Sequence, residues 1–119
     1  MKGSSRRPEQ VAETVRQVVA DALVTEVRDP RIGFVTVTSV QITPDLAHAR
    51  VRVSVMGEPA DKERALEGLL SAAGFLRGKL TKVLRTRVVP ELHFELDRGL
   101  EHAARIEALL ADLKDEAAD

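Results

Sequence analysis

Between Arg77 and Val89 the chain carries Arg77, Lys79, Lys82, Arg85 and Arg87 and no acidic residue. Such a group of cations is suited to phosphate. Each phosphate it neutralises releases counterions, so the attraction is strong and falls as salt rises. Lys2, Arg6 and Arg7 place a second basic group near the start of the chain. Arg31 follows Asp29 and Pro30 in a turn and is a further candidate for contact with phosphate; the alternative is a turn-capping Asp29 beside a solvated arginine. Arg50 and Arg52 are weaker candidates. An acidic strand on the same side of the sheet would pair with them and neutralise them. A basic helix face is ordinarily just solvated, but the acid-free span weighs against that reading here.

A second set of residues suggests different chemistry. Glu91, His93, Glu95 and Asp97 alternate, so they share one face of a strand. Neighbours at i and i+2 stand about 7 Å apart. Two of them can hold one metal ion only with help from another element, and His48 and His102 offer no ligand spacing in the sequence. A solvated acidic face is the expectation, with no metal and no cofactor. The chain has no cysteine, which removes thiolate nucleophiles, thiolate ligands and disulfides. It has no phosphate-binding loop or dinucleotide glycine motif and no nucleophile elbow. No catalysis is expected. The only aromatic residues are Phe34, Phe75 and Phe94, so binding single strands mainly by base stacking is also unsuited to this chain.

The elements that must position these groups follow from hydropathic periodicity. Pro8 suits the first turn of a helix, and Val11, Val15, Val18, Val19 and Ala22 recur at helical spacing to about Val27. Asp29-Pro30 ends it. Phe34 to Ile42 reads as a strand, Thr43-Pro44-Asp45-Leu46 as a reversal, and Ala47, Ala49, Val51, Val53 and Val55 as the buried face of a second strand. Ala65, Leu66, Leu69, Leu70 and Ala73 mark the next helix. Gly74 falls where a helix would bend. A third helix then sets Leu76, Leu80, Val83 and Leu84 on one arc and Arg77, Lys79, Lys82 and Arg85 on the other. Gly78 lies in the cationic arc, where a bound chain could approach the helix backbone. After Pro90 a third strand turns Leu92, Phe94 and Leu96 inward. A weaker helix spans about Leu100 to Leu113. If the backbone kinks at Gly74, Gly74→Ala costs roughly 1 kcal/mol; a gain in stability means that the helix passes straight through.

The order is α-β-β-α-α-β with a C-terminal helix, an α+β fold of two layers with a three-stranded sheet. A chain of 119 residues supports one such core. Residues 1–7 read as a flexible basic arm, 8–98 as the domain, and 99–119 as a C-terminal helix with an acidic tail. There is no apolar run of about 18 residues to cross a membrane and no signal-peptide core at the start. A cytoplasmic protein is expected.

Four stretches, taken together, resemble the ribosome-binding factor A family. Glu26-Val27-Arg28-Asp29-Pro30-Arg31-Ile32-Gly33-Phe34-Val35-Thr36-Val37 is similar to its acidic-basic-DPR and VTVT signature. Pro44-Asp45-Leu46-Ala47-His48-Ala49-Arg50-Val51 resembles its hairpin step, and Ser71-Ala72-Ala73-Gly74-Phe75-Leu76-Arg77 its Ala-x-Gly helix kink. Arg85-Thr86-Arg87-Val88-Val89-Pro90-Glu91-Leu92-His93-Phe94 is similar to its LR-x-x-PEL-x-F run. The resemblance implies a type II KH-like domain that binds the small (30S) ribosomal subunit and its rRNA. It also implies action late in subunit assembly, support for 5′-end processing of 16S rRNA, and a need for the protein in the cold. It implies no small-molecule substrate. A usual KH domain clamps nucleic acid with a GxxG loop between two helices; Ala72-Ala73-Gly74 occupies that place here, so the clamp does not carry over. A monomer is expected. A protein–protein adaptor that docks through its charged helices is the alternative class, and it would keep its partner after RNA is digested.

Overall fold

A computed structural model describes residues 7–99, 109–111 and 113. Residues 1–6 of the expected arm 1–7, with Lys2 and Arg6, lie outside these residues, as do most of the expected C-terminal helix and the acidic tail; residues 109–111 and 113 are helical.

Helix α1 spans Pro8–Thr25 and buries Val11, Val15, Val19 and Ala22, one residue per turn of a single stripe. Arg7 precedes it in extended conformation, and its backbone N–H donates to Gln10 Oε1 at 3.3 Å. Strand β1 is Val35–Ile42 and β2 is His48–Val55. They pair antiparallel, with a register shift between Val37 and Ser39. That irregularity is required by the sequence. Strict alternation from Val35 would bury Ser39 and Gln41 and expose Val40. One extra residue, Thr38, resets the phase, so Val37 and Val40 both lie on the core face while Ser39 and Gln41 oppose Arg52 and Arg50.

Helix α2 runs unbroken over Pro59–Val83, where the sequence suggested two helices meeting at Ala72-Ala73-Gly74. The element order is therefore α-β-β-α-β within 8–96. Gly74 is exposed, its φ is not positive, and a Cβ built there meets nothing within 4 Å. Nothing at that position demands glycine for folding. Strand β3, Glu91–Leu96, pairs parallel with β2. The sheet order is β1-β2-β3. α1 packs against β1 and α2 against β3 on one face, leaving the other face polar. Ala49, Val51, Val53, Leu92 and Phe94 meet Leu69, Leu76, Leu80 and Leu84 in the core between the layers. Val83, expected inside, is 48% exposed. No helix among the described residues is long and apolar enough to cross a membrane.

Gly68 is the glycine that packing needs. A Cβ there would sit 2.8 Å from Ile32 Cγ1 and 3.4 Å from Arg31 Cβ, because the turn after α1 lies directly on α2. Two alanine variants should thus diverge in denaturant unfolding. Gly68→Ala is expected to cost roughly 1–3 kcal/mol through overpacking against buried Ile32. Gly74→Ala is expected to add about 0.5–1 kcal/mol by removing helix-interior glycine; a loss there would mean that α2 bends in a way alanine resists.

Candidate nucleic-acid interface

The cationic side chains of α2 divide by their place on the helix. Arg77 and Lys79 border the buried leucine stripe, so each reaches a neighbouring element. The Arg77 guanidinium donates to the Val89 carbonyl at 3.0 Å and braces the segment that leads into β3. Lys79 pairs with Glu26 just past α1 and lies over the Phe75 ring, 5.8 Å from its centroid. Lys82 lies opposite the stripe and is exposed. Leu84 caps the helix with extended backbone, its N–H donating to Leu80 O at 2.7 Å. Arg85 and Arg87 consequently stand in the segment after α2, both exposed, and Arg85 does not extend its cationic arc as the sequence suggested. Among the described residues only Lys79, of the five cations from 77 to 87, forms an ion pair. Gly78 lies in the exposed arc, with open space where a Cβ would be.

The continuity of α2 adds a residue that the sequence reading missed. Arg64 precedes Lys82 by 18 residues, five full turns, which puts the two on one line about 27 Å apart. It is exposed and has no ion pair among the described residues. A single wheel drawn over 59–83 would have found it; splitting the helix at Gly74 hid it. Arg28 is also exposed. It lines a groove of about 260 Å³ between the turn after α1 and the middle of α2, with Glu26, Asp29, Ser71 and Phe75.

Arg31 takes a structural part. Its backbone N–H and guanidinium donate to the Asp29 carboxylate at 2.6–3.2 Å, and Nη2 reaches Ser71 Oγ at 3.3 Å. Asp29 caps the turn as foreseen, but Arg31 is held by it and is not solvated freely. Arg7 is exposed at the start of α1. Arg50 and Arg52 are paired as the charge pattern of the strands implied, both with Glu95, at 3.5 and 2.8 Å.

The acidic strand face also resolves into parts. Glu95 serves the two arginines, and Asp97 accepts the Gly99 N–H at 2.9 Å. Glu91 and His93 remain, and the parallel register sets His48 beside Glu91. His48 Nδ1 lies 3.0 Å from His93 Nε2. Sequence spacing could not show this, since it depends on which strand β3 joins and in which direction.

The fold and this surface define a class: a small α+β domain that holds cations on a leucine-anchored helix and the segment after it. Comparison with known proteins gives the family. Residues 7–110 match the family model described as Ribosome-binding factor A, and the chain belongs to that family. It is 49% identical over 113 residues to "Ribosome-binding factor A" of Rhodopirellula baltica, covering 95% of this chain and 82% of the relative. The solution structure of a Thermotoga maritima protein described as a putative ribosome binding factor A is 34% identical, with TM-score 0.69 over 76% of this chain and 87% of that one. A homology model of Thermus thermophilus ribosome binding factor A, fitted into the cryo-EM map of a 30S complex, is 28% identical, with TM-score 0.60 over 72% of this chain and 90% of that one.

The Asp29 turn makes a prediction about acid. Hydrogen bonds from the Arg31 side chain, then from its backbone, lower the Asp29 carboxyl from 3.8 to about 2. A carboxyl depressed on folding stabilises the fold at higher pH and loses that contribution as pH falls through its folded value. The contribution is complete above about pH 4 and disappears toward pH 2. Urea midpoints measured across that range should drop less steeply for Asp29→Asn than for the parent chain; equal slopes would mean that the Asp29 carboxylate does not stabilise the turn.

Proposed function

We propose that this protein binds the free small (30S) ribosomal subunit through its rRNA and acts late in the subunit's maturation. On this reading it supports 5′-end processing of 16S rRNA without catalysing it, as a cytoplasmic monomer. The KH-like character implied by the sequence resemblance enters through the layer of helices, with the unbroken α2 in place of a GxxG loop. Family membership supports the partner, as does the relative fitted into a 30S map.

The observation that carries the mechanism is the run from Arg77 to Arg87, where among the described residues only Lys79 meets a carboxylate. Lys82, Arg85 and Arg87 keep their charge available to phosphate, while Arg77 turns a guanidinium N–H to the Val89 carbonyl. RNA helices are read largely by shape and backbone, and that suits a factor that must recognise a folding intermediate. Gly78, and Gly74 one turn before it, weaken the helix but leave its backbone open to close approach. Leu70 and Phe75, 58% and 51% exposed on the same helix, favour a second reading in which α2 also touches a protein of the subunit.

Pelleting with purified subunits across a salt series tests the first reading. Lys82→Glu, Arg85→Glu and Arg87→Glu combined should weaken binding at least about tenfold and lower the salt slope by about one for each phosphate no longer neutralised. Lys79→Gln, which removes a cation already paired, should change binding little. Unaltered binding by the triple variant would overturn the mechanism. Retention of the partner by both variants after nuclease treatment would favour the protein-contact reading.

A further inference from the structure

The polar face of the sheet gathers His48 from β2 with Glu91 and His93 from β3. His48 Nδ1 and His93 Nε2 are 3.0 Å apart. Glu91 Oε2 lies 3.7 Å from the first and 3.8 Å from the second. All three side chains are exposed at 52–60%. Zinc bound by imidazole and carboxylate sits about 2.0–2.2 Å from each donor atom, so tetrahedral ligand atoms are about 3.4 Å from one another. The three separations bracket that value. The other charged groups of this face are engaged elsewhere. Arg50 and Arg52 pair with Glu95, and Asp97 turns to the Gly99 amide. Glu91 is thereby left facing the two imidazoles.

We propose that His48, Glu91 and His93 form a binding site for a borderline divalent transition-metal ion, zinc foremost. Two imidazoles and one carboxylate suit zinc, nickel or copper, whereas magnesium and calcium prefer oxygen donors. Without metal, the short contact between the rings is one hydrogen bond, so one ring nitrogen carries the proton. Binding needs both inner nitrogens unprotonated, with the protons on His48 Nε2 and His93 Nδ1. The change moves a proton between the nitrogens of one ring through solvent and requires no co-reactant. Three protein ligands leave a fourth position to water or to a donor from outside. The side chains of His48 and His93 also line a surface cavity of about 840 Å³, with room for such a donor. The site would fasten the first residues of β3 to β2, where the parallel ladder begins with the Glu91 N–H donating to Ala47 O at 2.9 Å.

A ligand that binds only the folded state raises its stability by mass action. The tag-free full chain is melted with zinc chloride, and with magnesium chloride as control, and zinc stoichiometry is measured by calorimetry. The expected result is a rise of several degrees in Tm that saturates at one zinc per chain and is absent with magnesium. That response should vanish in His48→Ala and His93→Ala, weaken in Glu91→Gln and persist in His102→Ala. The two histidines are exposed, so the variants should fold; His48→Gln and His93→Gln give a milder version of the same test. Cobalt should produce the visible absorption of tetrahedral coordination in the parent chain and not in His48→Ala or His93→Ala. No zinc response in the parent chain, or the same response without His48 and His93, would overturn the site. None of these readouts involves the ribosome, so the outcome is separable from the proposed function.

Discussion

Leu69, Leu76 and Leu80 are wholly buried beneath α2, and that burial sets the rotation of the helix about its own axis. Magnitudes decide the point. A fully buried leucine contributes about 1.5–3 kcal/mol, whereas a surface ion pair such as Lys79 with Glu26 contributes about 0–1. Turning α2 far enough to bury a different cation would expose several leucines. The leucine stripe therefore chooses which charges face outward, and the ion pairs follow from that choice.

The consequence is a division of labour among similar residues. Cations beside the stripe are used internally: Arg77 holds the segment before β3, and Lys79 ties α2 to the end of α1. Cations away from the stripe, or past Leu84, face solvent. On the opposite side of the sheet Arg50 and Arg52 share Glu95, which offsets part of their charge. A chain with formal net charge −1 thus still presents exposed cations among the described residues, Arg64 and Lys82 along α2 and Arg85 and Arg87 after it. Net charge alone conceals this.

Much of the architecture was legible in the residues. The valines of β2 alternate without fault, Pro8 marks the start of α1, and the charges of β2 and β3 implied that the two strands pair on one face. Local features that answer to distant partners were not legible. The bulge at Thr38 is visible only once β1 must match β2. The break expected at Gly74 rested on glycine's general preference, and the backbone there stays helical because nothing in the surroundings opposes it. Lys79 looked like a free cation because Glu26 is 53 residues away along the chain. His48 offered no ligand spacing to the Glu91–Asp97 face, and a parallel register alone brings it beside Glu91 and His93.

The central claim is that the outward-facing cations of α2 and its following segment lie against rRNA in the complex, while the paired ones do not. Lysine-selective acetylation read by mass spectrometry, on the free protein and on the protein bound to small subunits, addresses it directly. Lys82 should become less reactive on binding, and Lys62, near the other end of α2, should stay as reactive as before. Lys82 as reactive in the complex as in free solution, with Lys62 protected, would contradict the claim.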